Sequence, residues 1–94
     1  MKNLLVSKAV LLKLQTKHNV NLREVETCFQ NRNGKLLFDT RTLTKTNPPT
    51  LWSIAKTNQN RLLKIVYIQK GVKIILKTAY EPNDDELAIY AKFG

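Results

Sequence analysis

Cysteine, glycine and histidine are scarce in this chain of 94 residues, which contains one Cys, three Gly and one His. A single cysteine excludes a disulfide within the chain and a zinc site built from several thiolates. Glycines at positions 34, 71 and 94 leave no glycine-rich loop that could cradle a phosphate. No spacing of His, Asp and Glu indicates a metal site, so we expect neither a metal ion nor another cofactor.

Long apolar runs are also lacking. No stretch approaches the roughly 20 apolar residues that a membrane-spanning helix needs. Lys8 and Lys13 interrupt the N-terminal apolar residues before they could form the core of a signal peptide. We therefore expect a cytoplasmic protein that makes no membrane contact. The length suits a single domain, residues 1–94, because it leaves no room for two hydrophobic cores.

Acidic residues are few, with seven Asp and Glu against sixteen Lys and Arg, so the formal net charge is +9. Four of the acids lie within residues 81–86, and residues 1–80 carry a net charge of +12. A compact body with this positive field attracts polyanions and accelerates their encounter. The composition therefore favours RNA, DNA or an acidic protein as the partner.

Two helices are predicted near the N-terminus, over residues 8–17 and 21–30. The first has apolar residues on one helical face and ends at Asn19, a residue type that tolerates the left-handed conformation. Asn21 precedes Glu24 by three residues, which is the spacing of a capping box. Cys28 lies on the apolar face of the second helix, so we interpret it as a core residue.

The rest of the chain predicts strands followed by one helix. The predicted strands cover residues 35–40, 50–57, 61–69 and 72–80. Residues 4–6 form either a short first strand or the lead into the first helix, and residues 41–49 are predicted to be a loop. Asn83 and Glu86 have capping-box spacing at the start of a C-terminal helix. We predict an α+β fold, with an N-terminal helical hairpin packed on a mainly antiparallel sheet of three or four strands and a C-terminal helix.

The last two strands predict a hairpin at the centre of the sheet. With Lys70 and Gly71 as a two-residue turn, Lys64 would lie opposite Lys77. Like charges in this position destabilise a sheet by about 0.2–1 kcal/mol, but a bound anion would turn their repulsion into attraction. We therefore interpret the lysine-lined face as a phosphate site, although two lysines that extend into water would explain the same pattern.

Cleavage of RNA needs a base, an acid and cations that stabilise the charged phosphate. The cations predicted for this role are Lys77, Lys64 and Arg61. Base or acid would come from Glu81 or Tyr80, and further candidates are Glu86, Tyr90 and His18. Additional contacts to RNA are predicted for Lys73, Lys56, His18 and Arg41.

Residues 15–92 resemble the BrnT-type toxins of the RelE/ParE superfamily. The segments that carry the resemblance are TKHNV, EVETCF, NRLLKIVYI, VKIILKTAYEP and DELAIY. The family's motif residues match at Lys17, His18, Val20, Arg61, Glu86 and Tyr90. Lys77 stands where the family typically has an arginine, and Asn19 where it usually has a glycine. The resemblance implies a RelE-like bacterial toxin with an acidic antitoxin partner, which acts on RNA or the ribosome as a metal-independent ribonuclease and inhibits translation.

Three alternatives remain open. The chain also resembles small bacterial proteins that share PPTLW and KTAYEPN and are labelled as hydrolases of ADP-ribosyl-protein bonds, although such enzymes use clustered acids with a metal. A non-catalytic module that binds nucleic acid or the ribosome would explain the charge equally well. An inhibitor of a protein such as gyrase is what the ParE branch of the superfamily implies.

Overall fold

The computed structural model describes residues 3–32 and 50–94, together with the backbone of residues 37–38. In chain order the elements are strand β1 (Leu4–Leu5), helix α1 (Lys8–Lys13), a π-helical turn (Leu14–His18), helix α2 (Leu22–Asn31), and strands β2 (Leu37–Phe38), β3 (Thr50–Lys56), β4 (Leu62–Lys70) and β5 (Lys73–Tyr80), and helix α3 (Asp84–Phe93). The predicted α+β class and order of helices and strands are confirmed. The predicted loop at 41–49 and most of the strand at 35–40 lie outside the described residues.

The strands of the described residues form one sheet in the order β1-β5-β4-β3-β2. The three long strands pair antiparallel, whereas β1 runs parallel to β5. The hairpin of β4 and β5 therefore lies at the sheet centre, as predicted. The two-residue strands β1 and β2 flank the long strands, so the sheet remains mainly antiparallel.

The start of α2 and the end of the first helix lie at the residues predicted from the sequence. Asn21 accepts a hydrogen bond from the Glu24 N–H at 2.8 Å, and the Glu24 side chain accepts one from the Asn21 N–H at 3.2 Å, so the predicted capping box is confirmed. Asn19 adopts the left-handed conformation at φ 52°. The first helix differs from the prediction because its last turn widens into a π-helix, which closes with a hydrogen bond from the Val20 N–H to the Leu14 carbonyl at 2.9 Å.

The helices cover the two faces of the sheet unequally. The N-terminal helices bury one face in a core that contains Leu14, Val20, Val25, Cys28, Ala55, Leu63, Ile65, Tyr67, Leu76 and Ala79. On the other face, Leu87 and Tyr90 of α3 pack against a smaller cluster of Trp52, Ile54 and Val66. Cys28 is a core residue, as predicted, and burial raises the pKa of its thiol to about 11. The second face is covered only in part, which also agrees with the prediction.

The predicted pairing of Lys64 with Lys77 is wrong. The turn consists of Gly71 and Val72, so that Lys70 pairs with Lys73. Two-residue hairpin turns favour a positive φ at their first central residue, and Gly71 supplies it with a φ of 57°. Because the turn lies one residue later than predicted, every cross-strand partner shifts by two residues.

A β-bulge then shifts the register once more. Val66 pairs with Thr78 while Tyr67 pairs with Leu76, so Lys77 is the extra residue on β5. Beyond the bulge Lys64 faces Tyr80 rather than Lys77. The bulge also moves Thr78 to the face that carries Val66, opposite to the predicted face, and lets Ala79 enter the main core.

Candidate functional site

The predicted site residues fall into two regions of the molecule. We call the end of the sheet where β4 begins and β5 ends the closed end; it contains His18, Arg61, Lys64, Tyr80 and Glu81. We call the part of the α3-side face near the hairpin turn the open face, because none of the described helices covers it; its cations are Lys70, Lys73 and Lys77. Lys56 is the last residue of β3 and pairs with Leu62, so it lies at the same end of the sheet as the closed end, but it is exposed and apart from the Arg61 and Lys64 contacts. Arg41 lies outside the described residues.

Arg61 holds the closed end together. Its guanidinium donates to both carboxylate oxygens of Glu24 at 3.2 and 3.0 Å and contacts Glu81 Oε1 at 2.9 Å. It also donates to the carbonyls of Asn19 at 2.8 Å and His18 at 3.3 Å. One side chain thus joins the end of the first helix, the start of α2 and the residue after β5. Its charge is balanced by two carboxylates.

Lys64 is buried, with 1% of its surface exposed. Its ammonium group lies 2.6 Å from Glu86 Oε2 and 4.5 Å from the centre of the Trp52 ring. The Tyr80 hydroxyl donates to the same Glu86 oxygen at 2.7 Å. A buried ammonium needs such a set of partners, because an isolated charge in an apolar environment is costly.

Glu86 belongs both to the helix cap and to this buried pair. Its backbone N–H donates to Asn83 at 2.8 Å, and its Oε1 accepts from the Asn83 N–H at 3.0 Å. Burial alone would raise the pKa of Glu86, but hydrogen bonds from Lys64, the Asn83 backbone and Tyr80 lower it to about 2. Glu86 is therefore ionised at neutral pH and cannot donate a proton as a general acid there.

His18 and Tyr80 form the rim of the closed end. Their ring centres are 5.5 Å apart. Partial burial, and then the charges of Lys13 and Lys17, lower the pKa of His18 below its ordinary value of 6.5. The imidazole is thus mainly neutral at pH 7, which is the form that can accept a proton.

The closed end brings together five of the predicted site residues, but it does not form the predicted phosphate site. Arg61 and Lys64 are both engaged by carboxylates, and Lys77 is absent from this end. Glu24 and Glu86 neutralise the two cations, and the sequence patterns marked both acids as capping residues. The catalytic roles of Arg61, Lys64, Tyr80 and Glu81 stay predictions, whereas the opposed Lys64–Lys77 pair that motivated them is not formed.

The open face has the opposite character. Lys70 and Lys73 are direct cross-strand partners, and both are exposed, as is Lys77 at the bulge. Within residues 3–32 and 50–94, none of the three forms an ion pair. Ile68 and Ile75 are cross-strand partners that lie between the Lys70–Lys73 pair and the bulge, and both are only partly buried. A pair of opposed lysines does exist at the turn, but it is Lys70 with Lys73 and not the predicted Lys64 with Lys77.

The described residues contain no group of three His, Cys, Asp or Glu side chains that could hold a metal ion. Among the helices of the described ranges, none is long and apolar enough to cross a bilayer. Comparison of the chain with models of known protein families and with curated proteins finds no match.

Proposed function

We propose that this protein binds single-stranded RNA through the open face, and that it inhibits translation in this way as a toxin of the RelE/ParE type. The observation that carries the proposal is the set of three exposed lysines, Lys70, Lys73 and Lys77, which have no acidic partner among the described residues and of which two face each other directly. The net charge of +9 supports a polyanionic partner.

An RNA backbone would relieve the repulsion at the turn. Lys70 and Lys73 are a cross-strand pair, so their Cβ atoms are about 5 Å apart. Lys77 follows Lys73 by four residues on the same strand, which is a span of about 13 Å at ~3.3 Å per residue. A strand of RNA that lies along β5 would therefore meet cations at intervals, and each neutralised phosphate would release counterions.

The side chains of the open face favour contacts with the backbone of RNA over stacking of its bases. Near the hairpin turn the face carries Thr50, Ile68 and Ile75 besides the lysines, and none of these residues is aromatic. Trp52 and Tyr90, which could stack on bases, pack against each other under α3 with ring centres 5.6 Å apart. We therefore expect weak sequence preference at this surface.

Cleavage of RNA is a second candidate, and one observation favours it. The neutral His18 imidazole at the rim of the closed end could accept the proton of a 2′-hydroxyl, and the Tyr80 ring lies beside it. Two cations of this end, Arg61 and Lys64, are neutralised by Glu24, Glu81 and Glu86, which weakens phosphate binding there. Binding without cleavage is therefore the simpler function.

Binding is tested by the salt dependence of the affinity for a labelled, single-stranded RNA. Replacing Lys70, Lys73 and Lys77 together by Gln should make the slope of log K against log[salt] shallower by about 2, because each phosphate contact contributes about 0.7 for a single strand. The matched control replaces Lys8, Lys17 and Lys92 by Gln and removes the same charge. Equal losses in the two variants would show that only net charge matters and would contradict the open face as the binding surface.

The same RNA, analysed on a denaturing gel, separates binding from cleavage. We expect intact RNA with the wild-type protein at a concentration that saturates binding. Cleavage that disappears in His18→Asn, with RNA affinity retained, would instead establish the second candidate. Binding of an acidic protein but no RNA would contradict both. Expression without any antitoxin should inhibit growth for the wild-type chain and not for the triple lysine variant.

A further inference from the structure

An open cavity of about 580 Å³ lies beside Arg61, on the side of the sheet that carries the N-terminal helices. Its walls come from the π-helical turn, the start of α2 and the connection between β3 and β4. The polar residues that line it are Gln15, Asn19, Asn21, Glu24, Gln59 and Arg61. Its volume falls within the ordinary range for small-molecule sites.

The cavity is electrostatically balanced. Arg61 is its cation, and both oxygens of Glu24 accept hydrogen bonds from that guanidinium. A free phosphate would meet the Glu24 carboxylate as well as Arg61, so the cavity gives an anion no net attraction. The remaining polar lining consists of carboxamides, which present donors and acceptors side by side. This combination suits a neutral ligand with several hydrogen-bonding groups.

Two of the four carboxamide residues that line the cavity neither cap a helix nor end one. Asn21 caps α2 and Asn19 adopts the left-handed conformation at the end of the first helix. By contrast, the Gln15 and Gln59 side chains are exposed and form no hydrogen bond with other described residues. Their amide groups are therefore available to a ligand from two walls of the cavity.

The Glu24 carboxylate can accept a further hydrogen bond from a ligand. Its Oε1 accepts two hydrogen bonds, from the Asn21 N–H and from Arg61, whereas its Oε2 accepts one from Arg61. A carboxylate oxygen can accept a further bond. The cavity thus offers one charged acceptor next to carboxamides that can accept and donate.

We infer that this cavity binds one unpaired guanine base of the RNA. Guanine presents two adjacent N–H donors on its Watson–Crick edge, and unpaired bases are recognised by hydrogen bonds on this edge. One donor would bond Glu24 Oε2 and the other a glutamine carbonyl. Adenine has a single donor group on that edge next to an acceptor, so it would satisfy Glu24 less well. The inference rests on the proposed RNA binding for its biological ligand, but the cavity is separate from the open face.

The test uses guanosine, which has no phosphate and therefore does not depend on the lysines of the open face. Titration of the full chain with guanosine should shift the side-chain amide NMR signals of Gln15 and Gln59 in a saturable way. Adenosine and uridine should bind several-fold more weakly. A Gln15→Ala/Gln59→Ala variant should lose affinity for guanosine by about 2- to 12-fold for each hydrogen bond removed.

The matched control is Gln30→Ala, which removes an exposed glutamine of α2 that does not line the cavity; it should leave guanosine binding unchanged. Absence of saturable shifts at Gln15 and Gln59, or equal affinities for guanosine and adenosine, would overturn the inference. Because guanosine reports on the cavity alone, failure here and failure of RNA binding through the open face are distinguishable. A guanosine response in a chain that binds no RNA would support the cavity and contradict the proposed function.

Discussion

Basic residues have opposite environments at the closed end and on the open face of the sheet. At the closed end Arg61 and Lys64 are held by three carboxylates, and Lys64 is almost fully buried. On the open face Lys70, Lys73 and Lys77 are exposed, and no ion pair among the described residues engages them. The formal charge of a basic chain therefore does not locate its anion-binding surface, because part of that charge is used to hold the fold together.

The largest expected effect belongs to the buried pair. Lys64→Ala leaves the Glu86 carboxylate in a largely buried position without its cation, so the free energy of unfolding should fall by about 3–5 kcal/mol. Lys77→Ala, at an exposed position, should change it by no more than about 0.5 kcal/mol. Urea unfolding followed by circular dichroism measures both. Similar losses in the two variants would show that the two regions do not differ as described.

The pH dependence of stability should sharpen the same comparison. The pKa of Glu86 is about 2 in the folded protein against an ordinary 4.5, so its ionised form stabilises the fold above pH 4.5. This contribution, on the order of 3 kcal/mol, should disappear as the pH falls from about 4.5 to 2. Glu86→Gln should make the free energy of unfolding nearly independent of pH in this range. Glu81→Gln should keep the steep fall in stability that Glu86 causes. If Glu86→Gln still lost stability steeply over the same pH range, that loss would have to come from other carboxylates.

Arg61 should matter for stability more than for RNA affinity. Arg61→Ala breaks contacts to Glu24, Glu81 and two backbone carbonyls at a partly exposed position, so we expect a loss of about 2 kcal/mol. Arg61→Lys should recover little, because a lysine cannot form the same forked set of hydrogen bonds. Thermal melts measure the stability and fluorescence anisotropy the affinity. An RNA affinity that falls as far as in the triple lysine variant, with stability unchanged, would show that Arg61 acts mainly in RNA binding, either on a phosphate or through the cavity that it lines.

The smallest expected effect separates stability from binding at the turn. Lys70→Glu replaces a like-charge pair with an opposite-charge pair across from Lys73, so it should stabilise the protein by about 0.2–1 kcal/mol. It should also weaken RNA binding, because it removes one cation of the open face and adds an anion. Lys56→Glu is the control, since its cross-strand partner is Leu62 and no stabilisation is expected. Paired thermal melts and RNA titrations show whether the two effects have opposite signs.

The local features of this fold were predictable from short segments. The capping boxes at Asn21 and Asn83, and the helix end at Asn19, follow from side chains that act on backbone groups three or four residues away. The two faces of the hairpin were predicted correctly up to Leu76, because strand alternation does not depend on which partner lies opposite. The position of the turn was wrong by one residue, since Gly71 occupies the first central position and not the second.

The sequence by itself determined where the helices begin, which strands are apolar on both faces and how basic the chain is. Only the tertiary structure decided which cations pair with carboxylates. The bulge at Lys77 brings Tyr80 opposite Lys64. The docking of α3 places Glu86 against both side chains, although 22 residues separate Glu86 from Lys64 in the chain. A shift of one residue in strand register changes every cross-strand partner, so long-range charge pairs depend on the packed sheet and cannot be derived from local patterns.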